Sequence, residues 1–180
     1  MIFNEANTVE ALIRDLLAGP VKNVHPHEMR DPRTIFCPKG LGWRYVPAAD
    51  VPRQPQEVLA ETWVHEALIR LNPEIAVQPE RADDVLYKLR AIISGVRSDG
   101  LVKANEEFAA WLTGERSMPF GANGEHVTIR LIDLVDPKQN QYVVTTQFTL
   151  RAGVTEKRPD LVLFVNGIPF AVIECKSPGV

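Results

Sequence analysis

Few folds can accommodate the stretch from Arg158 to Lys176. Leu161 to Val165 is an unbroken apolar run, Asn166-Gly167 follows, and Phe170 to Ile173 is apolar again. Asn-Gly is the dipeptide that best accepts positive φ at both central turn positions, so the stretch predicts a two-residue β-hairpin. Runs that are apolar on both faces suit strands covered on both sides, at the centre of a sheet. Asp160 stands at the mouth of the first strand, and Glu174 and Lys176 stand at the end of the second. Residues two apart on a strand share a face, so Glu174 and Lys176 point one way and Cys175 the other. The hairpin should bring Asp160 beside Glu174, although 174 − 160 = 14 residues separate them along the chain.

Two carboxylates and an ammonium at the end of a covered hairpin have a direct chemical use. Mg²⁺ takes oxygen ligands and usually only one or two protein carboxylates, with water and phosphate completing its shell. Such an ion activates water and offsets charge developing on phosphorus, and a nearby lysine adds to that stabilisation. The competing interpretation is a surface Asp, Glu and Lys at fraying strand ends, since so short a pattern also arises by accident. The Asn-Gly turn between the two acidic positions favours the site.

Arg158-Pro159-Asp160, Asn166-Gly167-Ile168-Pro169 and Glu174-Cys175-Lys176-Ser177-Pro178 together resemble the nuclease core of the R subunit of type I restriction enzymes, in the PD-(D/E)xK superfamily. The resemblance extends upstream through Asn105, Phe108 and Leu112, then Leu131-Ile132-Asp133, Pro137, Asn140 and Val144-Thr-Thr-Gln147-Phe148. It implies Asp160 and Glu174 as metal ligands with the Cys175 backbone carbonyl, and Lys176 as the catalytic lysine. Cys175 departs from the family's more usual aliphatic residue, which matters little where only a carbonyl faces the metal. The superfamily also often places an acid on its first core helix, for which Glu10 is the candidate. Gln147 belongs by resemblance to a recurrent Gln-Phe pair; as a half-buried polar group it should bond to a neighbour.

At 180 residues the chain can bury a sizeable core. Its hydrophobic fraction of 45% and charged fraction of 24% are those of an ordinary soluble globular protein. The net charge of −3 gives no general basic signature for nucleic acid, so any phosphate grip must be local. Lys157 and Arg158, just ahead of Asp160, are candidates for it. Cys37 and Cys175 lie far apart and no Cys/His spacing suggests zinc, so reduced thiols in a cytoplasmic protein are expected. The first residues carry no signal-peptide pattern, and no apolar stretch approaches the ~20 residues of a membrane span.

Along the chain, residues 5–18 read as a helix capped at Asn4 or Thr8, with Val9, Leu12, Ile13, Leu16 and Leu17 inward and a Glu10–Arg14 pair outside. A proline-rich connection fills residues 20–56, with a short extended piece at Gly42–Val46 where Trp43 and Tyr45 share a packing face. His25 and His27 in that connection find no partners for a metal. Helices follow at 57–71, 80–98 and 103–113; Arg81, Lys88, Arg90 and Arg97 of the second read as a solvated face. His126–Val135 alternates like a strand, Asp136–Asn140 is a turn, Tyr142–Leu150 is a long strand, and 151–157 reads as a charged loop.

These readings combine into an α/β (α+β) protein. It has a mixed β-sheet of restriction-endonuclease-like type flanked by helices, with an additional helical segment. Residues 1–19 would form the first core helix and 20–115 the connection and a helical insertion or covering layer. Residues 116–180 would form a β-rich nuclease core stopping just past the catalytic hairpin. The expected function is a Mg²⁺-dependent DNA endonuclease module of an R subunit, weak or inactive as an isolated fragment. Family knowledge places the modification and specificity subunits beside the full-length protein and the ATP-driven motor elsewhere in it; no phosphate-loop motif occurs in these residues. The alternatives are another nuclease of the superfamily, such as a DNA-repair enzyme, or a non-catalytic docking module on the same fold.

Overall fold

A computed structural model of the chain describes residues 9–19 and 40–176. In chain order its elements begin with α1 (Ala11–Ala18), β1 (Arg44–Tyr45), α2 (Glu61–Leu71), α3 (Pro73–Ala76), α4 (Arg81–Asp99) and α5 (Leu101–Leu112). There follow β2 (Ser117–Met118), β3 (Val127–Thr128), β4 (Tyr142–Thr146), β5 (Leu150–Ala152), β6 (Thr155–Lys157), β7 (Leu161–Val165) and β8 (Ile168–Ile173). The protein is an α/β one, with a mixed four-stranded sheet and helices. The expected caps Asn4 and Thr8, together with His25, His27 and Cys37, lie outside the described residues. No described helix is long and apolar enough to cross a membrane.

The chain divides into two compact units, Met1–Val58 with Tyr142–Val180, and Leu59–Gln141. The first is built on a four-stranded sheet in the order β1-β4-β7-β8, with β1 parallel to β4 and the other pairs antiparallel. Asn166 (φ 52) and Gly167 (φ 82) both take the left-handed conformation that the two-residue turn requires. β7 is covered along its length, with Leu161 and Phe164 fully buried. β8 departs from expectation. Among the described residues it pairs only with β7, and its Phe170 and Val172 are 63% and 59% exposed. A register irregularity between Leu163 and Phe164 leaves Phe170 without an opposite residue, so only part of the second apolar run faces inward.

Under the sheet, Val144, Leu161 and Cys175 form a buried cluster, packed by Val9, Ile13, Leu17 and Ala18 of the α1 segment and by Trp43 and Tyr45. Trp43 also meets Tyr142 edge to face at 5.2 Å, so the alternating aromatics serve packing. Gly19 (φ 80) ends α1, and the returning chain caps it: the Leu41 and Trp43 N–H groups donate to Leu17 O at 2.7 and 3.2 Å. Only glycine fits at Gly40, where a Cβ would lie 2.4 Å from Gly19 N. This packing fixes α1 across the strands whose ends carry the acidic residues.

The second unit is mainly helical. Trp63, Val64, Ala67, Leu68 and Leu71 of α2 and Ala82, Val85, Leu86 and Leu89 of α4 are buried. At about 1.5–3 kcal/mol for each fully buried large aliphatic side chain, such stripes hold the unit together. The strand expected over His126–Val135 shrinks to β3, which among the described residues pairs with β2 alone. The cause is Asn72, whose side chain takes both backbone groups of Arg130: its Oδ1 accepts from Arg130 N (2.8 Å) and its Nδ2 donates to Arg130 O (2.9 Å). Of the four basic residues expected to be solvated on α4, two are engaged: Arg81 donates to the Glu74 and Phe120 carbonyls, and Arg90 pairs with Glu61. The stretch expected as a charged loop at 151–157 is instead the two-stranded ribbon β5–β6, within the first unit.

Candidate metal centre

β4 and β7 pair from Tyr142↔Val165 to Thr146↔Leu161. Beyond that pair the ladder continues, with Gln147 N donating to Asp160 O (2.8 Å) and Phe148 N to Pro159 O (3.1 Å). Within it Gln147 stands at φ 54, the left-handed region a non-glycine residue enters at a cost of about 1–2 kcal/mol. That kink has a visible result. Successive strand residues ordinarily point to opposite faces, yet both Thr146 and Gln147 hydrogen-bond Glu10.

Glu10 lies at the start of α1 and is only 6% exposed. Gln147 Nε2 donates to Glu10 Oε2 at 2.8 Å and reaches Asp160 Oδ1 at 3.4 Å. The other Asp160 oxygen, Oδ2, accepts from Cys175 N at 2.6 Å. One amide group thus stands between two carboxylates from opposite ends of the chain. Burial, and secondarily the charge of Asp160, push the Glu10 carboxyl above its ordinary value, against bonds from Gln147 and Thr146 and the charge of Arg14. Arg14 does not form the expected surface pair with Glu10; its guanidinium bonds Asp15 at 2.8 Å and lies over the Tyr45 ring.

Leu161↔Ile173 is the last β7–β8 pair, so Asp160 and Glu174 are the next residues on their strands. Glu174 and Lys176 are exposed and Cys175 between them is buried in the core cluster. Lys157 and Arg158 are exposed too. The structure therefore joins Glu10, Gln147 and Asp160 by direct bonds, and the Cys175 N–H with them. No bond links Glu174, Lys176, Lys157 or Arg158 to that group. Among the described residues, no three His, Cys, Asp or Glu side chains gather to hold a metal.

Two supports escape the sequence. Tyr45 Oη and Thr146 Oγ1 share a hydrogen bond at 3.2 Å behind Glu10. Arg53, in the proline-rich connection, lays its guanidinium 3.6 Å over the Phe148 ring and donates to the Thr149 and Glu57 carbonyls, bracing the chain just past Gln147. Strand alternation could have flagged Tyr45 as facing β4; nothing in the sequence marks Arg53.

The sequence model of the family described as "Type I restriction enzyme R protein N terminus" matches residues 33–180. The endonuclease subunit of the type I restriction enzyme HindI from Haemophilus influenzae is 31% identical over 153 residues, which cover 78% of this chain and 14% of that protein. A Methanocaldococcus jannaschii protein, assigned to the type I restriction enzyme MjaIXP as its endonuclease subunit, is 29% identical over 107 residues, or 57% of this chain and 10% of that protein. The chain thus spans about a seventh or less of the length of these relatives. No solved structure matches it.

Proposed function

Because the chain belongs to the family of type I restriction enzyme R protein N termini, we propose that it is the DNA-cleaving module of such a subunit, hydrolysing phosphodiester bonds with Mg²⁺. The observation that supports this most is the Glu10–Gln147–Asp160 contact at the end of the hairpin that also carries Glu174 and Lys176. Two half-buried or buried acids share one neutral donor there, and among the described residues no cationic side chain bonds either carboxylate. An all-oxygen donor set of this kind fits a hard cation, and one or two carboxylates are the number Mg²⁺ usually takes. Asp160 and Glu174, with the Cys175 carbonyl, are the residues proposed to hold it, and Glu10 is the additional acid.

Bound there, Mg²⁺ supplies Lewis acidity, lowering the pKa of water and offsetting charge on the phosphate. The chain's own groups do the rest. Asp160 is oriented by the Cys175 N–H through one oxygen, which fixes the direction of the other. Lys176, exposed and next to Cys175 in sequence, donates to a phosphate oxygen as negative charge builds. Lys157 and Arg158 hold the flanking backbone of DNA, the substrate; each neutralised phosphate adds salt-sensitive affinity. In the full-length protein, assembled with modification and specificity subunits, ATP would drive a motor outside these residues. A nuclease fold of the PD-(D/E)xK type is the architecture this reading implies.

The test is Lys176→Ala in the assembled enzyme, with plasmid cleavage and ATP hydrolysis measured side by side. Cleavage should fall at least about 100-fold, as loss of one transition-state donor does, while ATP hydrolysis persists. Cleavage at the normal rate removes Lys176, and with it the catalytic hairpin, from the mechanism.

A further inference from the structure

Resting on the reading of a cation centre at Asp160, we infer that Gln147 is itself one of its oxygen donors, reached by a half-turn of the side-chain amide. The amide stands between both acids, with Nε2 at 2.8 Å from Glu10 Oε2 and 3.4 Å from Asp160 Oδ1. Facing two carboxylates, an amide presents its nitrogen. Facing a cation held by those carboxylates, the same N–H groups would point positive charge at positive charge. A half-turn of the planar amide exchanges Nε2 for Oε1 at nearly unchanged volume, since the two ends differ little in size. Carbonyl oxygens of Asn and Gln are ordinary ligands of hard cations.

The backbone supports a dedicated role. Gln147 holds φ 54 although its N–H stays in the ladder to Asp160 O at 2.8 Å. Strain of this kind persists where the surroundings over-determine it, and it clusters at ligand sites. Here its effect is to put Thr146 and Gln147 on the side of Glu10 together. The residue is braced behind by the Tyr45–Thr146 bond and ahead by Arg53 over Phe148, so the amide can turn while the backbone stays fixed.

The experiment compares Gln147→Gly and Gln147→Glu with the unaltered 180-residue chain, by Mg²⁺ titration calorimetry and by melting in EDTA and in excess Mg²⁺. Glycine keeps the left-handed backbone without strain, so folding is preserved while the donor is lost. Its Mg²⁺ affinity should fall about tenfold, the scale expected when a metal centre loses a supporting group. Glutamate gives a sign reversal: a lower Tm than the unaltered chain in EDTA, where three carboxylates repel, and a larger Mg²⁺-induced rise. A purely structural Gln147 would shift the EDTA and Mg²⁺ melts equally. Mg²⁺ affinity that is unchanged or tighter in Gln147→Gly overturns the inference while leaving the cation centre standing. Asp160→Asn separates the two cases: if Mg²⁺ binding is absent in the unaltered chain, or survives Asp160→Asn, the cation centre and this inference fall together.

Discussion

Asp133 accepts hydrogen bonds from the backbone N–H groups of Asp136 and Val135, both at 2.9 Å, and these hold its carboxyl below the usual aspartate range. Asn140 completes the lock, accepting from Asp133 N at 2.8 Å and donating to Asp133 O at 2.8 Å. These residues belong to the upstream pattern that accompanied the family resemblance, and their role in this loop is structural. A depressed folded pKa stabilises above the unfolded value, 3.8, and the contribution is lost as pH falls below it through the folded pKa. Asp133→Asn should therefore lower the melting temperature at pH 7 and differ little from the unaltered chain near pH 2. Equal deficits at both pH values would show that the charge is not what matters. At this scale the sequence exposed the acids but not their partners. Asp160 was legible because the turn placed it. Glu10 could be singled out only by resemblance, since its site depends on a fold contact 137 residues distant, with Gln147.

The β7–β8 hairpin is the element whose sequence signal was strongest, because turn chemistry is local: Asn166 and Gly167 need only their own φ angles. Gly167→Ala should cost about 1–2 kcal/mol in urea unfolding, the price of a Cβ in the left-handed region. No loss would mean that the turn relaxes to another type. Alternation misled where side chains from elsewhere captured the backbone, as Asn72 does at Arg130. The unbroken apolar run misled on β8, because local pattern does not reveal how many neighbours a strand has. Phe170 and Val172 are exposed on a strand that, among the described residues, has a neighbour on one side only. Exposed apolar side chains on such an edge promote pairing with other chains. The isolated chain should self-associate with rising concentration in sedimentation velocity, and Val172→Lys should suppress it; an identical profile for both would exclude this strand.

At the scale of the molecule, fold class followed from hydrophobic periodicity, since helical stripes and strand runs report on burial anywhere in a chain. The division into Met1–Val58 with Tyr142–Val180 on one side and Leu59–Gln141 on the other did not. It depends on α1 packing beneath strands formed more than a hundred residues later, through Val9, Ile13 and Leu17 against Val144, Leu161 and Cys175. That non-local packing is also what brings Glu10 to Asp160, so the candidate centre and the core of the first unit are consequences of one arrangement. The most direct test is the anomalous difference map of crystals grown with Mn²⁺ in place of Mg²⁺. The account predicts a peak within ligand distance of Asp160 and Glu174 carboxylate oxygens and the Cys175 carbonyl. A well-ordered hairpin with no peak there, or with Mn²⁺ held only by other residues, would contradict it.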